Sequence, residues 1–88
     1  MRFYQLFDDI EARTAIMRAQ KDAADRLARL TPQQRAVLDG MLDGHPNKII
    51  AYQLGLATRT VENHRAEIMR KLDIRSVAAA LRLVIIAG

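Results

Sequence analysis

The segment from about Thr58 to Leu72 carries hydrogen-bonding side chains at helical spacing: Arg59, Glu62, Asn63 and Arg70, with the small Ala66 among them. Placed at 100° per residue with Val61 as origin, Val61, Ile68, Leu72 and the stem of Arg65 fall within about 40° of one another as an apolar stripe. Arg59, Asn63, Ala66 and Arg70 take the opposite face, flanked by Glu62 and Glu67. The chemistry suits the edges of base pairs. Asn63 can bond both N6 and N7 of adenine, Glu62 can accept from cytosine N4, Arg59 can fork onto guanine or a phosphate, and Ala66 leaves room for a thymine methyl. Thr60, Lys48 and Lys71 are placed to reach phosphates, contacts that fix register without reading sequence. Such a mixed face is also what any solvated helix shows, so the decision falls to its surroundings.

Other chemistries find little material. The chain has no cysteine, and Ser76 is its one serine. A metal would have only His45, His64 and carboxylates to draw on, and His45 sits beside Pro46 in a turn. Neither a metal site nor a nucleophile triad assembles from these residues, so the sequence predicts no enzyme and no cofactor. His64 lies about 60° from the core axis of its helix and reads as a half-buried packing residue.

Charge favours a polyanionic partner. The net charge of +4 lies entirely in the second half: residues 1–44 hold seven basic and seven acidic side chains, residues 45–88 seven basic and three acidic. A charge of that size equally serves solubility, so it too needs a structural context. At 88 residues, half of them hydrophobic but only 5% aromatic, the chain has room for one small helical domain and one appended element. Asp8 and Asp9 stand where a signal peptide would be apolar, and Arg82 interrupts the longest apolar run, which falls short of the ~20 residues of a membrane span. A soluble, cytoplasmic protein is expected.

The elements that must hold this face follow from punctuation. Residues 8–30 contain neither Gly nor Pro and read as one long helix, whose Leu6, Ile10, Met17, Ala24 and Leu27 make a heptad pattern broken by Arg13 and Gln20. A helix lying on its own domain and a dimeric coiled coil are equally open. Thr31-Pro32-Gln33-Gln34 forms a capping box for a second helix, which Gly44 and Pro46 end. Asn47 is expected to cap a short helix buried through Ile50, Ala51 and Leu54 and closed by Gly55. The turn Gly55-Leu56-Ala57 leads into the Thr58 segment, so two helices and a tight turn form a helix-turn-helix. Ser76 caps a last helix, Val77–Ala87, apolar almost all round. A domain of roughly 60 residues can hardly surround one of its own helices, so a subunit interface is the favoured reading over a fully wrapped helix.

The run Leu30-Thr31-Pro32, Asn47-Lys48, Ala51, Leu54-Gly55-Leu56, Arg59-Thr60-Val61-Glu62, His64-Arg65, Ile68-Met69 and Lys71-Leu72 resembles the LuxR-type (GerE-type) helix-turn-helix of bacterial transcription regulators. It is most similar to the DNA-binding half of FixJ-like and NarL-like response regulators. The resemblance covers residues 30–87. It implies an all-α, four-helix domain over residues 30–88, here preceded by a long N-terminal linker or dimerisation helix over residues 1–29. It further implies that Glu62, Asn63 and Ala66 face bases, and that Lys48, Thr60 and Lys71 contact the DNA backbone. Dimerisation would run largely through the last helix, at Val77, Ala80, Leu81, Val84 and Ile85.

Some positions depart from the family pattern. Ala57 stands where a capping Ser is usual, so either Thr58 caps one residue later or the helix start is weakened by about 0.5 to 2 kcal/mol. Ile49 replaces a commonly acidic residue, Gln34 and Ala36 replace glutamates, and Asn63 occupies an often apolar position. The expected function is a sequence-specific, homodimeric regulator of transcription that binds double-stranded DNA. Its N-terminal helix would stand where a receiver or sensor domain joins, or would replace that domain in a stand-alone regulator. The alternative is a small helical protein that pairs with a full-length regulator and modulates it. The two differ in whether the recognition face is competent to bind DNA.

Overall fold

The computed structural model describes residues 3–88, with side chains from Asp9 onward. Five helices and no strand are present among the described residues: α1 (Phe3–Leu27), α2 (Pro32–Leu42), α3 (Asn47–Leu54), α4 (Thr58–Leu72) and α5 (Val77–Ala87). The all-helical expectation holds. Leu6, which opens the heptad pattern, lies outside the described side chains.

The α2 start follows the capping box in full. Thr31 Oγ1 accepts from the Gln34 amide at 3.1 Å, and Gln34 Oε1 accepts from the Thr31 amide at 3.0 Å. Gly55 closes α3 in the left-handed region at φ 67°, and the Leu56 amide reaches back to the Ala51 carbonyl at 2.9 Å. At α5, Ser76 Oγ accepts from the Ala79 amide at 3.1 Å, as expected.

One cap departs from expectation. Pro46, not Asn47, is the N-cap of α3, at φ −69° and ψ 160°. The pyrrolidine ring holds φ near the required value, so the helix starts directly after it and Asn47 becomes the first helical residue. At α4 the second of the two alternatives is found, a start without a side-chain cap: Ala57 takes the extended cap geometry, and no side chain bonds the first turn.

The core joins α2 to α5 through one face of each. Val37, Leu38 and Met41 of α2 meet Ile50 and Ala51 of α3, Val61, Ile68 and Leu72 of α4, and Ala80 and Leu83 of α5. Burying these apolar side chains is the main force holding α4 in place. The core also reaches back across residue 29, because Ala23 of α1 is 1% exposed and Leu27 packs beside it. The end of α1 therefore lies on its own domain, against α5 and α4. Residues 9–22 are exposed throughout, and α1, with 25 residues, is about 37 Å long. Pairs Lys21–Asp25 (3.0 Å) and Asp22–Arg26 (3.1 Å) support its solvated side.

This coverage changes the reading of α5. Ala80 is completely buried within the chain, and Val77 and Val84 are half-buried. Ala80 therefore has no surface to give a second subunit in this arrangement, because α1 and α2 pack against α5. Leu81, Ile85 and Ile86 remain exposed on the outer side. No described helix is long and apolar enough to cross a membrane.

Candidate nucleic-acid interface

The two faces of α4 separate cleanly. Val61, Ile68 and Leu72 are each 0% exposed, whereas Arg59, Glu62, Asn63, Ala66 and Arg70 all face solvent. Position decides this: three apolar residues at sevens and fours pin one side to the core, which leaves the other side outward over the whole helix. The turn at Gly55 sets α4 against α3, whose Lys48 is also exposed. Thr60 is half-buried beside Val61.

The charges on the outer face are organised in local pairs. Arg59 Nη1 donates to Glu62 Oε2 at 3.3 Å. Arg70 makes a two-point contact with Glu67, with Nε donating to Oε2 at 3.1 Å and Nη2 to Oε1. The hydrogen bond from Arg70 holds the Glu67 carboxyl below its ordinary range and pushes the guanidinium upward. Both pairs are exposed and weak, so a stronger anion can draw either arginine away. Asn63 and Ala66 lie between the pairs with their outer surfaces open.

Lys71 departs from the expected backbone contact. Its Nζ donates inward, to the Arg29 carbonyl at 3.1 Å and to Gln34 Oε1 at 2.8 Å, and the residue is half-buried. The position of Lys71 near the buried Leu72, facing the start of α2, explains this. Sequence spacing within α4 could not show it, because both partners lie more than 35 residues away.

Three further features escaped the sequence reading. Tyr52, one turn beyond Lys48 on α3, is 87% exposed. Its position opposite Ile50, Ala51 and Leu54 on a helical wheel was the available signal. Arg26 at the end of α1 and Arg29 in the turn after it reach the last carbonyls of α4, at 3.2 and 3.4 Å. Nothing in local spacing marked these two.

His64 behaves as a packing residue at the rim. It is half-buried, and its Nε2 donates to Gln33 Oε1 at 3.0 Å. His45 Nδ1 is buried without a hydrogen-bond partner, while its backbone amide bonds the Gly40 carbonyl at 3.0 Å. No group of three metal-ligating side chains exists among the described residues.

A short helix closed by a left-handed glycine, followed by a longer helix with one buried and one polar open face, defines a helix-turn-helix domain. Comparison with known proteins places it further. Residues 28–84 match the family of bacterial regulatory proteins, luxR family (GerE). The transcriptional regulatory protein FixJ of Azorhizobium caulinodans is 39% identical over 70 residues, covering 80% of this chain and 33% of FixJ. The C4-dicarboxylate transport transcriptional regulatory protein DctR of Rhodobacter capsulatus is 40% identical over 73 residues, covering 83% of this chain and 37% of DctR. Full-length FixJ from B. japonicum superposes on 100% of this chain and 47% of its own, with a TM-score of 0.78 and 30% identity. The response regulator StyR superposes on 96% of this chain and 46% of its own, with a TM-score of 0.79 and 34% identity. The chain thus belongs to the luxR family of bacterial regulatory proteins, and it spans 33% to 37% of the length of these curated relatives.

Proposed function

We propose that this chain is a sequence-specific DNA-binding regulator of transcription that inserts α4 into the major groove. The observation that carries this is the division of α4 into a wholly buried stripe and an open polar face. An α-helix fits the major groove, and only side chains on its open face reach base edges. Asn63, Glu62 and Ala66 are the base-facing set. Arg59 and Arg70 leave their carboxylate partners to meet guanine or phosphate, and Lys48 and Thr60 hold the backbone. Lys71 is left out of this set, because its Nζ already serves Arg29 and Gln34.

The regulator acts as a dimer. Leu81 and Ile85, one turn apart on the outer side of α5, form the contact, with Val77 and Val84 at its edge and Ile86 extending it. Two copies then meet half-sites about one helical turn apart, or a closely spaced inverted repeat. The names of the relatives, transcriptional regulatory proteins more than twice as long, support reading the chain as the DNA-binding portion of a cytoplasmic response regulator. Its N-terminal helix is then the side on which a receiver domain acts.

Selection from a random-sequence duplex pool, followed by a mobility shift and sedimentation of the complex, tests this. An enriched motif with two half-sites bound by two copies is expected. A pool that stays random after selection would overturn the reading.

A further inference from the structure

An α-helix leaves its last four carbonyls without a donor of its own. In α4 these belong to Met69, Arg70, Lys71 and Leu72, and all four have partners. The Met69 and Arg70 carbonyls take the amides of Ile74 at 3.0 Å and Asp73 at 3.1 Å, in the turn that Asp73 makes at φ 53°. The other two are served from α1 and the residues after it. Arg29 Nη1 donates to the Lys71 carbonyl at 3.4 Å, and Arg26 Nη1 to the Leu72 carbonyl at 3.2 Å. These donors stand 42 and 46 residues earlier in the chain. Lys71 returns the contact, its Nζ reaching the Arg29 carbonyl and the same Gln34 Oε1 that takes part in the α2 capping box.

Cations at a helix C-terminus also oppose the negative end of its dipole, so both terms favour this arrangement. The apolar stripe of α4 and these hydrogen bonds constrain different things. Burial of Val61, Ile68 and Leu72 fixes the depth of the helix but is non-directional and tolerates tilt and rotation. Hydrogen bonds at its end are directional and restrict both.

Resting on the DNA-binding reading above, we propose that Arg26 and Arg29 are positioning residues for α4. By holding its last two carbonyls from the end of α1 and the turn after it, they set the angle at which Asn63 and its neighbours meet a duplex. Affinity for a specific sequence therefore depends on where the end of α1 lies. Base-edge hydrogen bonds fail within a few tenths of an ångström of their range, whereas long cationic side chains follow a phosphate through a larger displacement. Loss of the clamp therefore weakens specific binding more than random binding.

The test uses the full chain with both arginines replaced (Arg26→Ala with Arg29→Ala), Arg29→Ala alone, and the conservative pair Arg26→Lys with Arg29→Lys. Affinity is measured for the duplex enriched by the wild type and for a random duplex of equal length. Measurements span several salt concentrations and stay well below each variant's unfolding temperature. Carbonyl carbon shifts of Lys71 and Leu72 report the clamp directly. The double alanine variant is expected to lose about tenfold in the specific-to-random ratio, with shifted carbonyl resonances and an unchanged salt slope. The lysine pair, which can still donate to the carbonyls, keeps most of the ratio. Should the double variant fail to fold, Arg29→Ala, whose contact is exposed, carries the same expectation at smaller size. A ratio that survives loss of the clamp means a merely structural role and overturns the proposal. A slope shallower by about 0.9 per arginine means direct phosphate contact and overturns it equally. If the wild type enriches no sequence, the DNA-binding reading itself falls, a result distinct from either.

Discussion

A Cβ placed on Gly40 of α2 would lie 2.8 Å from Cγ1 of Ile50 on α3. The two helices cross at a separation that glycine alone permits, and Ile50, 1% exposed in the core, has nowhere to swing. Gly40→Ala is therefore expected to destabilise the domain. Overpacking costs about 1 to 3 kcal/mol, and the gain in helix propensity returns about 1. A net loss of about 1 kcal/mol lowers Tm by roughly 4 to 8 °C in a domain of this size. Thermal unfolding measures it, and a variant as stable as the wild type would show that α3 gives way.

Ala57 offers the opposite case. It holds the extended N-cap geometry of α4, φ −70° and ψ 147°, with no side-chain acceptor for the first turn. Ala57→Ser supplies one without altering the backbone and is expected to add about 0.5 to 2 kcal/mol of stability. Chemical denaturation would show a higher midpoint with an unchanged slope. No gain would mean that the first-turn amides already have adequate partners in water.

What could be read from the sequence was local. The Thr31–Gln34 box, the Gly55 turn, the Ser76 cap and the Val61, Ile68 and Leu72 stripe all lie within short windows where spacing and structure correspond, and each stands as expected. The open polar face of α4 was readable for the same reason, since it is the complement of that stripe. Contacts between distant segments were hidden. Lys71 looked free because Arg29 and Gln34 meet it only after α1 and α2 fold over the end of α4. Ala80 looked available because nothing in α5 shows that its neighbours bury it. The Asn47 cap was misplaced by one residue because the fixed φ of Pro46 already meets the geometric need.

Glu67 restrains Arg70, and removing its charge should show in binding. Glu67→Gln frees the guanidinium and deletes a negative charge beside the open face of α4. Affinity for random duplex should rise, and the salt slope should stay close to that of the wild type, because Arg70 meets the DNA in both forms. Protonation of Glu67 would act in the same direction. Its folded pKa lies below the ordinary 4.5, so whatever the pair contributes to stability is present above the ordinary value and lost as pH falls through the lowered one. Titration of this group therefore leaves binding unchanged between pH 6 and 8. An unaltered affinity in Glu67→Gln would mean that the pair does not hold Arg70 back from the DNA.

Salt dependence is a broader check. With about six to ten phosphate contacts per dimer, affinity should fall on the order of 10³ to 10⁵ between 50 and 200 mM salt. Fluorescence anisotropy on a labelled duplex measures this. Binding insensitive to salt would contradict a backbone contact through Lys48 and the α4 arginines.

If the open face of α4 reads bases, Asn63→Ala and Lys48→Ala will differ on selected and random duplexes. Both residues are exposed, so both variants should fold as the wild type does. Asn63→Ala is expected to lose about 1 to 3 kcal/mol on the selected duplex, traceable to one base pair per half-site, and almost nothing on random DNA. Lys48→Ala should weaken both alike. Equal weakening of the two duplexes by Asn63→Ala would contradict base reading by α4.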